Sequence, residues 1–142
     1  SWSEMMEYAP TDNMQVGTTK GVCPVGWHIP TFKEWETLID YLGGSSIAGG
    51  KLKDNTPPPY NSWADPNTGA TNEYGFYANP FGYFDRNMKT FLNSSYNAYY
   101  STFTEVSADS AYFVMLKYDS PGIEFGTTPK SNGLSVRCIK NE

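Results

Sequence analysis

The single histidine, His28, is the residue on which most forms of polar catalysis in this chain would depend. A Ser-His-Asp or Cys-His site needs an imidazole as its general base, and this chain can supply only one. His28 stands between Trp27 and Ile29, in a run whose neighbours have a structural pattern. One histidine and two distant cysteines also make a poor zinc ligand set. We therefore expect His28 to be a hydrogen-bonded structural or surface residue, with no catalytic residue in the chain.

Three carboxylates, Glu34, Glu36 and Asp40, fall within one predicted helix. Glu36 and Asp40 have i, i+4 spacing, which places them together on a solvated face. Paired carboxylates can hydrolyse a glycosidic bond, so a glycan hydrolase is the catalytic alternative. The same spacing is common on solvated helix faces, where acidic residues keep a protein soluble. We favour the second interpretation.

The segment from Gly44 to Gly75 is rich in the hard oxygen ligands that calcium prefers. These are Asp54, Asn55, Asp65, Asn67, Asn72 and Glu73. The same residue types also form Asx-turns in loops that bind no metal. Loops of this length inside a compact domain are usually functional or disordered, and we expect an ordered one. No cofactor is expected, and Asp65 and Asn67 are the candidate calcium ligands.

Aromatic residues supply the best candidates for a binding surface. The chain has 11 tyrosines, 8 phenylalanines and 4 tryptophans, and tyrosine suits recognition because its ring is amphipathic and loses little entropy on binding. The candidates lie on two adjacent predicted strands and the loop before them: Tyr99, Tyr100, Phe103, Tyr112, Tyr118 and Tyr83. Alternation along a strand directs about half of such rings into the core. We expect the others to form a ligand platform on the outer face of the C-terminal sheet.

A helix predicted over Thr31–Leu42 must position the sheet that carries these rings. Thr31 and Glu34 have the spacing of a capping box. Apolar residues then recur at helical spacing, namely Trp35, Leu38, Ile39 and Leu42. A Gly-Gly pair follows and ends the helix. We expect Trp35, together with Trp27 just before the helix, to be buried.

The second half of the chain has the pattern of antiparallel strands. Runs rich in β-branched and aromatic residues, separated by turn signals, are Ala98–Thr104, Ser110–Tyr118, Gly122–Thr127 and Leu134–Lys140. The second run is apolar on both faces, which predicts a central strand. In the last run, Leu134, Val136 and Cys138 share the face that we expect to point inward. One helix and several strands predict an α+β fold.

Composition excludes some classes of partner. The net charge of −5 argues against nucleic acid and anionic membrane as partners, because neither would meet a basic surface. No apolar run approaches the length of a membrane span, so we expect no membrane insertion of this domain. With 142 residues, the chain has the size of one domain. Its two cysteines, Cys23 and Cys138, are either a disulfide or two buried thiols.

The run from Cys23 to Thr31 reads Cys-Pro-Val-Gly-Trp-His-Ile-Pro-Thr, and Glu34 and Trp35 follow it. This pattern resembles the signature of the Fibrobacter succinogenes major paralogous domain. Further similar runs follow in the family's order: Lys51-Leu-Lys53, Asn72-Glu-Tyr-Gly-Phe76, Asn79-Pro-Phe-Gly82, Tyr100-Ser-Thr102, Ala111-Tyr112 and Lys130–Lys140. The resemblance covers nearly the whole chain. It does not extend to the family's usual N-terminal strand, so we expect an open strand position that pairs with another chain or with that segment.

The resemblance implies a single domain over residues 1–142 with a C-type-lectin-like fold: a twisted antiparallel sheet, one main helix and long irregular loops. The family occurs on surface proteins and lipoproteins of Fibrobacter and Bacteroidetes. Export of this kind implies a Cys23–Cys138 disulfide. It also places the protein outside the cell or on the outer-membrane surface.

Two related groups bear on the chemistry. The run Ile29–Trp35 resembles the helix opening of formylglycine-generating enzymes, but their reactive cysteines have no match, because Cys138 falls in a structural Ser-Val-Arg-Cys motif. Asp65 and Asn67, separated by a proline, resemble the sugar-and-calcium motif of true C-type lectins. Its companion Trp-Asn-Asp motif is missing, so we expect binding without tightly held calcium.

The last forty residues resemble the ligand-binding half of diversified C-type-lectin-like proteins, in which the outer face of this sheet carries the contacts. The expected function is therefore non-catalytic recognition of a glycan or protein at the cell surface, as in an adhesin. The alternatives are a diverged enzyme, such as a glycan hydrolase, and a structural module of a surface assembly. An enzyme needs a cleft with convergent polar groups, whereas a binding module needs only an aromatic surface.

Overall fold

A computed structural model describes residues 1–9 and 17–142. Its helices are α1 (Trp2–Met5), α2 (Phe32–Tyr41) and α3 (Ala48–Leu52), and its strands are β1 (Trp27–His28), β2 (Tyr83–Asp85), β3 (Thr90–Leu92), β4 (Asn97–Glu105), β5 (Ser110–Lys117), β6 (Ile123–Pro129) and β7 (Ile139–Lys140). These strands pair antiparallel. The fold is α+β, as the sequence predicts.

The strands form three small sheets instead of the single sheet that we expected: β1–β7, β2–β3 and β4–β5–β6. The prediction of a long strand over Leu134–Lys140 was wrong. Ser135 makes one isolated bridge with Tyr100 on the edge of β4, and only Ile139–Lys140 forms a strand, which pairs with β1. The chain leaves the large sheet between Ser135 and Ile139, because Cys138, which lies between them, is bonded to Cys23.

Helix α2 forms for the local reasons that its sequence contains. The Thr31 hydroxyl accepts a hydrogen bond from the Glu34 N–H at 3.2 Å, and the Glu34 carboxylate accepts from the Thr31 N–H at 2.9 Å. This is the predicted capping box, and the helix ends at Tyr41, followed by Gly43 at a φ of +100°. Within residues 1–9 and 17–142, no helix is long and apolar enough to cross a membrane.

The apolar stripe of α2 packs on one face of the β4–β5–β6 sheet and forms the main core. Trp35, which is buried as predicted, has its ring 5.7 Å from Tyr100 and 6.1 Å from Phe76. Other buried members are Ile39, Leu42, Leu52, Trp63, Val114, Leu116 and Ile123. Burial of each large apolar side chain contributes about 1.5–3 kcal/mol. This face of the sheet is therefore buried beneath the helix.

A second core lies where α1 meets the far end of β4. Trp2 stacks on Phe103 with ring centroids 6.2 Å apart, and its indole N–H donates to the Thr102 carbonyl at 2.9 Å. The Cys23–Cys138 disulfide, predicted from the resemblance, is present in this region. It closes a loop with a sequence separation of 115, which in the chain-entropy model corresponds to about 4–5 kcal/mol.

Trp27 is not a core residue, contrary to the prediction. It lies in β1 and is 39% exposed. The two-residue pairing of β1 with β7 places its ring at the molecular surface, while the adjacent His28 is the buried member of the strand. Alternation along this short strand allows only one of the two neighbours to face inward.

Residues 44–75 are ordered and mostly irregular, as predicted, with the short α3 inside them. Trp63 anchors this segment, because its side chain is buried in the main core and its indole N–H donates to the Ala78 carbonyl at 2.8 Å. An irregular segment has few backbone partners of its own, so such side-chain anchors determine its path.

Lys53 is the most unusual anchor, because its side chain is fully buried. Its ammonium group donates to the carbonyls of Thr68, Lys117 and Ser120 at 2.8, 2.9 and 3.0 Å. Burial lowers the pKa of Lys53 to about 8, partly offset by Asp119, so the ammonium form still predominates at neutral pH. Three donors meet three acceptors, and the irregular segment is thereby tied to the end of β5.

Lys53→Met should lower the unfolding free energy by about 2–4 kcal/mol, because it leaves interior carbonyls without a donor. Urea unfolding followed by far-UV circular dichroism measures the change. Lys51→Met is the matched control, since Lys51 makes only a partly exposed ion pair with Glu73 at 3.5 Å. That control should cost less than about 1 kcal/mol. Equal effects of the two substitutions would show that the buried ammonium does not anchor the segment.

A candidate ligand-binding cleft

The outer face of the β4–β5–β6 sheet carries a different set of side chains from the face under α2. Strand pairing places Tyr99 opposite Met115, and Ser101 opposite Phe113. Because neighbouring residues alternate, these four side chains point away from the core that contains Tyr100. The outer face is therefore partly aromatic, and its Tyr99, Phe113 and Met115 belong to neither of the helix-covered cores of the described chain.

A cleft of about 400 Å³ lies over this face. Tyr99, Phe113 and Met115 form its floor, and the β2–β3 hairpin borders it. The remaining lining residues are Tyr83, Asp85, Asn87, Asn93, Thr127, Thr128, Pro129, Asn132 and Leu134. The cleft thus combines an aromatic and thioether floor with amide and carboxylate side chains at its border.

The aromatic rings that line the cleft pack edge-on against one another. The Tyr99 ring lies edge-on to Tyr83 at 5.1 Å and to Phe113 at 5.4 Å. Phe113 lies across Gly126 of β6, where an added Cβ would come within 2.5 Å of the ring. A side chain at position 126 would therefore displace Phe113, and glycine is what permits the flat floor.

The two tyrosine hydroxyls of the cleft differ in their surroundings. The Tyr99 hydroxyl accepts from the side-chain amides of Asn93 and Asn97, each at 2.9 Å. Burial, followed by the nearby Asp85 carboxylate, raises the pKa of Tyr83, so its hydroxyl keeps its proton well above neutral pH. The cleft accordingly contains the Tyr99 hydroxyl, which two amides hold in place, and at its border the Tyr83 hydroxyl, which keeps its proton.

The β2–β3 hairpin is attached to the rest of the protein along its length. Phe84 exchanges two backbone hydrogen bonds with Gly133, at 2.7 and 2.9 Å. Asn132 accepts from the Arg86 N–H at 3.1 Å and donates to the Thr128 hydroxyl at 3.1 Å. The wall of the cleft is therefore fixed before any ligand arrives.

Two polar side chains of the cleft retain hydrogen-bonding capacity. Asp85 uses one carboxylate oxygen to accept from the Met88 N–H at 2.8 Å, and its other oxygen has no partner in the described part of the chain. The Asn87 side chain is exposed and forms no hydrogen bond with residues 1–9 or 17–142. A ligand that covers the rings can therefore hydrogen-bond to both groups.

The structure brings two of the six predicted aromatic residues together, Tyr83 and Tyr99, both of which line the cleft. Tyr83 is half-buried and Tyr99 is 8% exposed, so Tyr99 contributes only a small part of its ring to the cleft surface. Two others lie in the cores and do not line the cleft. Tyr100 is 6% exposed within the main core, where burial raises its pKa to about 12, and Phe103 is fully buried in the second core. The prediction that these rings face a ligand was wrong, because α2 and α1 cover them.

The last two predicted residues, Tyr112 and Tyr118, lie on the helix side of the sheet. Tyr112 packs against Phe32 at 4.8 Å, at the start of α2. Tyr118 packs against the main core and lies edge-on to Tyr96 at 5.2 Å. Both are half-buried, and neither lines the cleft on the outer face.

Sequence reasoning missed Phe113, Met115 and the whole β2–β3 hairpin. The strand carrying the first two was predicted as central and apolar on both faces, so its outer residues were assigned to a core. A signal for the hairpin did exist: two aromatic-containing runs flank residues 86–89, three of which are polar, and this is the pattern of two strands and a turn. If the hairpin had been predicted, Asp85 and Asn87 would have been candidate ligand-binding residues.

The remaining polar candidates are in structural positions. His28 is buried, with Nδ1 2.6 Å from the Asn141 side-chain oxygen and Nε2 2.9 Å from the Glu34 carboxylate. Glu36 forms a surface ion pair with Lys33 at 3.1 Å. The carboxylates of α2 thus serve the helix cap and the solvated face, as the sequence indicates.

Asp65 and Asn67, the candidate calcium ligands, do not converge on a visible cation site. Asp65 is exposed, and the Asn67 amide donates to the Asp54 carbonyl at 2.9 Å. Among residues 1–9 and 17–142, no group of three or more His, Cys, Asp and Glu side chains is placed to hold a metal ion. Binding without tightly held calcium stays a prediction.

Tyr99→Phe should lower the unfolding free energy by about 1–2 kcal/mol, because it removes the acceptor of two amide hydrogen bonds. Tyr112→Phe is the matched control, since the Tyr112 hydroxyl has no hydrogen bond in the described part of the chain. It should change stability by less than about 0.5 kcal/mol. Thermal and urea unfolding measure both. If the two substitutions had the same effect, the amide pair would not be holding the Tyr99 ring.

Comparisons with known proteins agree with the resemblance seen in the sequence. Neither a curated protein nor a solved structure matches the chain. One family model does match, that of the Fibrobacter succinogenes major domain, and it covers residues 1–140. The match extends over nearly the full length, including α2, the disulfide and the strands that form the cleft. The chain therefore belongs to the Fibrobacter succinogenes major domain family.

Proposed function

We propose that this domain is a non-catalytic recognition module that binds a glycan in the cleft on the outer sheet face. The observation that carries the proposal is the pairing of the Tyr83, Tyr99 and Phe113 rings with the open polar groups of Asp85 and Asn87. A sugar presents apolar C–H faces and hydroxyl edges, which are complementary to rings and to amide or carboxylate oxygens respectively. A purely apolar ligand would leave the polar border unsatisfied.

The cleft favours binding over cleavage. Most glycosidases use two carboxyl groups that flank the scissile bond. The cleft lining contains a single carboxylate, Asp85, and the described chain places no second one beside it. The carboxylates of α2 lie on the other side of the sheet, where Glu34 caps the helix and Glu36 pairs with Lys33. This distribution supports a binding module in preference to a hydrolase.

We extend the proposal to the location of the protein and to the fold family of the domain. A disulfide persists in oxidising compartments, so the Cys23–Cys138 bond supports a position outside the cell or on the outer-membrane surface. A surface lipoprotein or adhesin would present such a domain to glycans or proteins. A helix packed on one face of an antiparallel sheet, with long irregular loops, supports a C-type-lectin-like fold.

An array of glycans and proteins, probed with the purified domain, tests the proposal. The best glycan is then titrated by calorimetry against Tyr83→Ala, which removes a half-buried ring at the cleft border. A ring in a binding hot spot contributes roughly 2 kcal/mol, so the affinity should fall about 30-fold. The melting temperature should change little, because Tyr83 is not a core residue.

Tyr60→Ala is the matched control, because Tyr60 is 82% exposed and lies outside the cleft. It should leave the affinity unchanged. Loss of affinity in both variants, or in neither, would place the binding site elsewhere. Binding only to proteins on the array would retain the recognition role and reject the glycan.

A further inference from the structure

A second concave surface lies between α2 and strand β7. This β7 groove has a volume of about 350 Å³ and is lined mainly by apolar side chains, among them Trp27, Leu38 and Phe76. Trp27 and Ile139 are 39% and 38% exposed, so the groove is open to solvent. It shares no lining residue with the cleft described above.

Strand β7 has one open hydrogen-bonding edge. His28 is opposite Ile139, and the Asn141 N–H donates to the Gly26 carbonyl at 2.9 Å. Residues 139 and 141 therefore direct their backbone groups towards β1, and the alternation of an antiparallel pair directs those of Cys138 and Lys140 the other way. No strand of the described chain lies on that side. These peptide groups are available to an added strand.

The polar groups of the groove favour an acidic partner. The Arg137 guanidinium lies 4.2 Å from the Phe76 ring, and neither it nor Lys140 pairs with a carboxylate in the described part of the chain. Glu34, the one acidic lining residue, already contacts His28 and caps α2. The groove therefore carries two cations that no carboxylate of the described chain pairs with, although the net charge of the chain is −5. An acidic partner would complement these two cations.

A buried donor in the groove wall also lacks an acceptor. Trp35 lines the groove and is 3% exposed, yet its indole N–H has no hydrogen-bond partner among residues 1–9 and 17–142. The indole N–H groups of Trp2 and Trp63, in contrast, both donate to backbone carbonyls. Buried donors are normally satisfied, and the described chain supplies no acceptor for this one.

We infer that β7 accepts an extended, acidic peptide segment of another protein chain by strand addition. The peptide backbone pairs with the open edge at Cys138 and Lys140, an apolar side chain enters the groove, and a carboxylate meets Arg137. Main-chain pairing supplies affinity in such complexes, and the side-chain pocket supplies selectivity. The inference is independent of glycan binding, because the two surfaces share no residues.

The peptide Glu-Val-Trp-Val-Glu-amide, with fluorescein joined to its N-terminal amine through a flexible linker, tests this inference by fluorescence anisotropy. It should bind at least about tenfold more tightly than the same peptide with Lys in place of Glu, because only the first complements the cations. A version with alternate amides N-methylated should lose binding, since it cannot pair with a strand edge. Equal binding of the acidic and basic peptides, or no binding of the acidic one up to about 1 mM, would overturn the inference.

Variants and NMR assign the site. Arg137→Gln should weaken binding of the acidic peptide about tenfold, whereas the matched control Arg86→Gln, on the β2–β3 hairpin, should leave it unchanged. If Arg137→Gln lowers the melting temperature, Lys140→Gln at the exposed end of β7 serves instead. In ¹⁵N spectra, the indole N–H signals of Trp27 and Trp35 should shift and those of Trp2 and Trp63 should not. Binding that leaves the first two signals in place would overturn the inference.

Discussion

The packing of α2 on one face of the β4–β5–β6 sheet is the interaction on which the rest of the structure depends. Trp35 lies against Tyr100, and the sheet buries Val114 and Leu116 beneath the same helix. Because side chains alternate along a strand, this packing turns Tyr99 and its neighbours on β5 to the opposite face. The apolar contacts that stabilise the fold thereby also create an aromatic surface on the face of the sheet opposite α2.

Much of the chain outside this core is irregular, and specific polar anchors hold it in place. Lys53 ties the long segment to the end of β5 through three carbonyls, and Asn132 joins the hairpin to the end of β6. Buried backbone groups need such partners wherever there is no ladder to supply them. A wall that is fixed beforehand loses little conformational freedom when a ligand binds, which favours affinity from a small contact area.

Features determined by local sequence were predictable, and features determined by packing between distant segments were not. The capping box of Thr31 and Glu34 and the helical period identified α2 almost to the residue. Alternation predicted that about half of the strand aromatics would be buried, but not which half. Phe103 shows why: a register shift between Ser101 and Glu105 breaks the alternation, and α1 covers the ring from a segment about 100 residues away. The exposure of Trp27 likewise depends on β7, near the other end of the chain.

The chemical shift of the Met115 methyl group tests the central claim most directly. The chain has five methionines, and Met115 lies on the cleft floor, whereas Met5 and Met6 are buried in the second core. In protein labelled with ¹³C at the methionine methyl groups, saturation with the glycan that binds best should shift the Met115 signal and leave those of Met5 and Met6 in place. A saturated complex in which the Met115 signal does not move would show that the ligand binds away from the outer face of the sheet.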